Sequence, residues 1–329
     1  MFAASQPNIN RWGDESRSDK KPALAKGGFN LHFPCHWPLL ADFNHITFDK
    51  HGVPLEPFGE EEQTRLNPAF TIAYGLHALT NFLENGDVRG RYDAVYIADW
   101  LRENLTQWRD GFFGWPTNFN VPFYNLKDEW VSAKTHGLAM SLLLRVASMD
   151  DDAKYEETAQ KAVSIFMLSV SEGGFMRRFP DGSMGLEEYP AQEPVQTLAG
   201  QVFGLIGLFD YIEYFDNKMM KTMFLSALDG LKANLHRYDT GKWLLFDLRK
   251  SRRIAGMETV RGVCKMLNVL ARLVDDEAIA GWAKKWLVYV DDESVDRKFW
   301  FLNLKEQTRL KLLPEKYGVN RDLLKDAPR

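Results

Sequence analysis

The chain is nearly free of cysteine: Cys35 and Cys264 are its two, far apart and outside any CxxC or Cys/His spacing. That excludes a disulfide framework and a structural zinc site as organisers of the fold. A charge excess of either sign is also missing. The formal net charge is −4 with no basic stripe, so nothing marks nucleic acid as a partner. No apolar run approaches the length that crosses a bilayer, and the opening stretch MFAASQPNINRWGDESRSDKK has no apolar signal core. The expectation is a soluble, cytoplasmic protein without a membrane span.

What is present is ordinary globular material. Apolar residues make up 45% and charged residues 26%, enough to bury a substantial core. The 329 residues allow two domains or one large barrel. Ten Trp and 22 Phe suit a carbohydrate-binding cleft, and large helical cores use them as well.

Residues 1 to about 28 read as a flexible lead-in, and 29–58 as an irregular, proline-punctuated segment that packs on the domain to follow. His32 and His36 have helical metal-ligand spacing, but Pro34 lies between them and no carboxylate or Cys completes a set. Neither a metal nor a cofactor is therefore expected. From residue 64 the pattern is helical, with amphipathic runs at about 66–85, 91–108, 131–148, 152–170, 193–215, 218–236, 258–273, 276–290 and 297–311. Glycine-aromatic segments beginning at Gly111, Gly173 and Gly241 fall between alternate helices and form a weak internal repeat of helix, hairpin, helix. Stacked helical hairpins that close on themselves give a mainly α (α/α) barrel with its β-hairpins at one mouth. This reading divides the chain into an N-terminal segment 1–64, a barrel 65–311 and a tail 312–329.

One stretch organises the rest. Gly173 to Pro190 reads GGFMRRFPDGSMGLEEYP, two strand-like arms around the turn Pro180-Asp-Gly-Ser183. The second arm ends in Glu187, Glu188 and Tyr189, two carboxylates and a phenol at the end of a hairpin that interrupts a helical chain. That is either a site or a solvated acidic rim beside a packed Tyr. In Lys242–Arg249, read as a strand, Trp243, Leu245, Asp247 and Arg249 share one face. An Arg beside an aromatic can clamp a sugar carboxylate; an Asp247–Arg249 rim pair is the plainer reading.

Several motifs in order resemble the catalytic domain of the D-glucuronyl C5-epimerase family. They are Asn67-Pro68, Tyr74-Gly-Leu76, Trp130-Val-Ser-Ala133, Ser141-Leu-Leu-Leu-Arg145, Glu187-Glu-Tyr-Pro190, Leu198-Ala-Gly200, Leu205-Ile-Gly-Leu-Phe-Asp210, Tyr238-Asp-Thr-Gly241 and Phe246-Asp-Leu-Arg249. The resemblance covers about 65–290. It implies an (α/α) barrel that inverts C5 of uronic acid residues in a polysaccharide, with Glu188, Tyr189 and Arg249 as catalytic residues. Phe246 stands where the family has Tyr, Ala199 where it has Asn, and 257–262 where it has a Tyr-His-x-x-His run.

C5 inversion needs a carboxylate clamp, which suits Arg249, and a base, which suits Glu188 or Tyr189. A second acid must sit on the opposite face, for which Tyr74, His136 and Glu258 are candidates. Tyr74, Trp130, His136, Glu187, Trp243 and Asp247 are the expected substrate-binding residues. The partner is a uronate-containing polysaccharide or oligosaccharide, and a homodimer is allowed for. The alternatives are a uronate lyase, an (α/α)-barrel glycoside hydrolase using Glu188 and Asp247, and a non-catalytic polysaccharide binder.

Overall fold

Four two-residue turns set the architecture: Gly86-Asp87, Asp151-Asp152, Asp216-Asn217 and Asp275-Asp276. The first residue of each ends a helix in the left-handed conformation, and the side chain of the second caps the next helix. Glycine, or a short Asp that bonds locally, takes that backbone angle, and Asp or Asn accepts from the orphan N–H groups of the following helix. The turns join α1 (Pro68–Asn85) to α2 (Val88–Glu103), α3 (Ala133–Asp150) to α4 (Ala153–Ala162), α5 (Leu198–Phe215) to α6 (Lys218–Tyr238), and α7 (Met257–Val274) to α8 (Glu277–Leu287). A last helix, α9 (Val295–Leu312), follows. This computed structural model describes residues 29–33, 43, 45–58, 63–127, 129–179, 182–291 and 294–317. The His32/His36 spacing, Cys35 and most of the expected lead-in and tail lie outside them.

The chain is mainly α, built of antiparallel helical hairpins. Helices α1, α3, α5 and α7 pack on one another in that order, each with its partner behind it, while α7 and α1 share no substantial contact. The tightest seam is α3 on α5. A Cβ on Gly207 would lie 2.2 Å from the Gly137 carbonyl oxygen, and one on Gly137 would lie 2.1 Å from that of Phe203. No larger side chain fits between these backbones.

A buried ion pair crosses the same seam. Arg145 on α3 donates through two nitrogens to the carboxylate of Asp210 on α5, at 2.6 and 3.1 Å, and Ser141 donates to the same carboxylate at 2.6 Å. Phe29 and Phe33 lie against the guanidinium at 5.4 and 5.1 Å, which docks the N-terminal segment on the helices. Two of the family-like motifs, Ser141–Arg145 and Leu205–Asp210, are thus this staple.

Because the tight turns sit at one end, the long connections 104–132, 163–197 and 239–256 emerge together at the other. They touch directly. The Trp108 indole donates to the Gly173 carbonyl at 2.7 Å, Tyr124 to Asp247 at 2.8 Å, and the Leu248 N–H to the Val195 carbonyl at 3.0 Å. The three repeat glycines, Gly111, Gly173 and Gly241, all have positive φ, which explains why glycine recurs there.

Local differences from the sequence reading have physical causes. In 29–58 the irregular segment contains two strands of a three-stranded antiparallel sheet, β1 (Thr47–Phe48) and β2 (Pro54–Phe58); the third, β3 (Gln63–Arg65), runs across the 64/65 boundary. Asp49 makes the first turn by accepting from the N–H groups of His51 and Val53. The helix expected to run to 108 stops at Glu103. Thr106–Arg109 is instead strand β4, paired with β5 (Phe112–Gly114) around Gly111. The helix expected over 152–170 ends at Ala162 and continues as a 3-10 turn, Val163–Met167. The central hairpin forms as expected, with β6 (Met176–Arg178) antiparallel to β7 (Met184–Leu186). Its Pro180 and Asp181 lie outside the described residues.

Residues 242–249 are not a strand. Their backbone donors go to separate places: Leu245 to Tyr238, Phe246 to Arg253, Leu248 to Val195, and Arg249 to the Asp247 carboxylate. The period-two face expected there does not form, because no neighbouring strand offers a continuous ladder.

Candidate functional site

Helices α1, α3, α5 and α7 all begin at the end where the long connections gather, so their N-terminal N–H groups and positive dipole ends face it together. Glu188 lies there beside the first turns of α3 and α5. Its carboxylate accepts from the Thr197 hydroxyl at 2.6 Å and from the Lys134 ammonium at 3.3 Å. Thr197 is the N-cap of α5 and Lys134 stands in the first turn of α3. Gly200 admits this arrangement, since a Cβ there would meet the Glu188 Cβ at 2.5 Å. The site thus uses a small residue on the helix to bring an acid against the helix start.

Tyr189 packs its ring between Tyr124, at 4.9 Å, and Trp130, at 5.6 Å. Its hydroxyl has no hydrogen-bond partner among the described residues. Burial and the neighbouring Glu188 carboxylate raise its pKa well above the usual phenol value, so it stays protonated at neutral pH. Trp130 anchors the wall by donating from its indole to the Phe119 carbonyl at 2.9 Å.

Arg249 reaches the same place from the third connection. Its guanidinium lies on the rings of Phe123 and Tyr124 at 5.5 and 5.4 Å and donates to the Phe123 carbonyl at 3.0 Å. Its carboxylate partner is Glu193, 3.5 Å away and 79% exposed. An exposed partner at that distance is held weakly, and an incoming carboxylate can displace it.

Behind Arg249, Asp247 is the centre of a buried polar group whose other members, Tyr124 and Arg253, were not expected. The Tyr124 hydroxyl donates to Asp247 at 2.8 Å, with Arg253 3.9 Å from the same carboxylate and stacked on Phe123 and Phe246. Burial raises the pKa of Asp247 against the pull of Arg253, and burial with the Asp247 charge raises Tyr124 far above the usual phenol range. Tyr124 sits in a short 3-10 turn, Pro122–Tyr124, where no periodicity marks it.

The structure thus groups Tyr189, Trp130, Arg249 and Asp247 around Tyr124 with Arg253 behind, and sets Glu188, next in sequence to Tyr189, against Lys134 and Thr197. None of Tyr124, Arg253, Lys134 and Thr197 stood out in the sequence: the helical run expected over 193–215 takes in Thr197, which instead caps α5. The other expected residues lie elsewhere or have their polar atoms engaged within the protein. Tyr74 donates to Asp93 on α2 at 2.6 Å and packs on Phe43 and Phe48, away from the cluster. Trp243 is fully buried, with its indole donating to the Ala255 carbonyl. Glu187 is buried on the other side of the hairpin end, where it accepts from Arg177 and the N–H groups of Val195 and Gln196. It fastens the hairpin to the connection into α5. Glu258 is an exposed partner of Arg261.

His136 is a core residue. It is fully buried, with Nδ1 2.8 Å from the Ser132 carbonyl oxygen and Nε2 accepting from the Trp115 N–H at 3.3 Å. Burial pushes its pKa down to about 4. An unfolded His titrates near 6.5, so the unfolded chain binds the extra proton between those values and stability falls as pH drops from about 6.5 to about 4. The expected loss is on the order of 3 kcal/mol. His136→Gln, which can keep one of the two hydrogen bonds, should flatten the pH dependence of the urea midpoint across that window. An unchanged slope would remove His136 as its source.

Helical hairpins with an acid, a phenol and an arginine at the end where the inner helices begin define the class. The profile described as "D-glucuronyl C5-epimerase C-terminus" matches residues 109–287, and the chain belongs to that family. A D-glucuronyl C5-epimerase of Caenorhabditis elegans is 28% identical over 211 residues, covering 58% of this chain and 34% of that protein. An uncharacterized protein of Methanocaldococcus jannaschii is 25% identical over 178 residues, covering 53% of this chain and 57% of its own length. The chain therefore spans about a third and somewhat over half of these relatives. Among the described residues no helix is long and apolar enough to cross a membrane.

Proposed function

We propose that the chain removes the C5 proton of a hexuronate residue in an acidic polysaccharide and returns a proton to that carbon, an epimerase-like reaction of the glucuronate-to-iduronate type. The observation that carries this is the meeting of Glu188, Tyr189 and Arg249 in one aromatic-lined cluster at the helix N-termini. The row of inner helices is, in this reading, the wall of an (α/α) barrel spanning 65–311, and the N-terminal sheet covers part of its mouth.

Arg249 exchanges Glu193 for the substrate carboxylate. Glu188 is the base: the C5–H bond breaks, its proton goes to the Glu188 carboxylate, and its electron pair moves into the substrate carboxylate as an enediolate. Arg249 and the helix N-termini stabilise that charge. A phenol on the opposite face, Tyr189 or Tyr124, then gives its proton to C5 and inverts the centre. Solvent resets both groups. Tyr189 is the freer of the two, since its hydroxyl has no partner among the described residues, whereas Tyr124 must first release its bond to Asp247. No cofactor is needed.

One observation favours a second reading. Phe246 replaces a family Tyr and lies on Arg253 rather than offering an acid. The same proton abstraction would then end in expulsion of the C4 substituent, as in a lyase. Incubation with a panel of uronate polysaccharides in deuterated water, read by NMR, distinguishes the two. Deuterium at H5 with unchanged chain length is the expected result, lowered about 10²–10⁴-fold in whichever of Tyr189→Phe and Tyr124→Phe removes the donor. An unsaturated, absorbing product would establish elimination. No uptake with any uronate polymer would overturn the proposal.

A further inference from the structure

We infer that Arg65, which lies against the rings of Phe119 and Phe58, is a second anion-binding subsite that takes the acidic group of the sugar next to the reacting residue. The inference rests on the polysaccharide reading above. Arg65, Glu56 and Phe58 belong to the N-terminal sheet, outside the stretch 109–287 that the family profile matches, and Phe119 lies within it.

Among the described residues one edge of this guanidinium is open. Its carbon lies 3.7 Å from the Phe119 ring centre and 5.0 Å from that of Phe58. Its Nε donates to Glu56 at 2.7 Å, across the β2–β3 pairing that sets Glu56 opposite Arg65. The two Nη groups have no partner among the described residues, and the side chain is 30% exposed. The remaining edge carries two parallel N–H donors, the arrangement that receives a carboxylate or sulfate bidentately. Because ion pair and rings already fix the side chain, little rotamer entropy remains to be lost on binding.

The subsite is continuous with the reacting cluster. Phe119 packs on Trp130 at 5.8 Å and Trp130 on Tyr189 at 5.6 Å, so an aromatic path leads from Arg65 to the phenol. Two rings separate Arg65 from Tyr189, whereas Arg249 lies directly on the adjoining Tyr124. Arg249 therefore serves the reacting carboxylate and Arg65 a neighbour's. The part-exposed rings of Phe119 and Tyr189 suit a pyranose whose charged groups point outward.

The test uses the full chain and three oligosaccharides of equal length. One has a single central uronate with neutral neighbours, one is all-uronate, and one carries sulfate on the neighbours. Calorimetric affinities are measured for wild type, Arg65→Ala and Arg65→Lys, with H5 deuterium uptake followed in parallel. Wild type should prefer one or both acidic-flank ligands over the first by about 10- to 100-fold, as charge-assisted hydrogen bonds allow. Which of the two is preferred identifies the group as carboxylate or sulfate. Arg65→Ala should erase that preference while binding the single-uronate ligand as wild type does, and Arg65→Lys should fall between.

A wild type without preference, or an Arg65→Ala protein that keeps the preference or loses affinity equally for all three, overturns the subsite. Deuterium uptake with no effect of Arg65 would sink the subsite and leave the epimerase-like reading standing. Arg65-dependent binding without uptake would do the reverse, and no binding at all would overturn both.

Discussion

Glu188→Gln should lower deuterium incorporation at H5 by about 10²–10⁴-fold while leaving the polysaccharide bound. Gln keeps the shape of Glu and can still accept from the Thr197 hydroxyl, so the cap of α5 survives. What it loses is the anionic oxygen that receives the proton. Lys134, the other partner, is one-third exposed and solvates easily once its counter-charge is gone. Removing a negative charge from the mouth should, if anything, tighten an acidic ligand. Exchange measured by NMR at saturating polymer, beside a binding isotherm, gives the answer. Wild-type exchange in this variant would dismiss Glu188 as the base, and a parallel loss of binding would assign it to substrate contact instead.

Asp210→Asn should be the most destabilising polar substitution in the core. It leaves the Arg145 guanidinium buried without its charge partner, and removing one member of a buried pair typically costs about 3–5 kcal/mol. Among the described residues Arg145 Nε has no partner, and apart from Asp210 the guanidinium donates only to the Ser141 carbonyl, at 2.9 Å. Melting temperature should fall by about 2–4 °C or less per kcal/mol in a chain of this size. The double variant Arg145→Met, Asp210→Leu should recover much of the loss, because apolar side chains of similar volume avoid the desolvation altogether. A single-variant loss below about 1 kcal/mol in urea titration would show that the pair is more hydrated than its burial indicates.

Helix existence was legible because amphipathic periodicity is local: all nine helices of the described residues overlap a predicted run. So was the hairpin β6–β7, since a proline-glycine turn between apolar arms specifies its own pairing. The ends of α2 and α4 were not, because the apolar spacing runs on past Glu103 and Ala162 while the chain changes there to a tight hairpin around Gly111 and to a 3-10 turn. The turns at 86–87, 151–152, 216–217 and 275–276 are a repeat written plainly in the sequence, but as two-residue Gly/Asp and Asp/Asn signals they are too short to stand out from ordinary surface residues.

The order of motifs by itself determined the family, and the Glu188-Tyr189 and Asp247–Arg249 signals named the two segments that meet. Which of their residues face the mouth was decided by tertiary structure alone. Glu187 and Glu188 are adjacent and chemically identical, yet Glu187 closes on Arg177 and two backbone N–H groups while Glu188 turns to the start of α5. His136, Trp243 and Tyr74 have the right chemistry, but their polar atoms are consumed by Ser132, Ala255 and Asp93. Conversely, Tyr124 and Arg65 come from turns and strands with no distinguishing pattern and acquire their roles through partners remote in the chain, Asp247 and Phe119. The physical reason is the same throughout. A buried polar group must find a partner, and which groups are satisfied and which left open is a property of the packed molecule rather than of any stretch of chain.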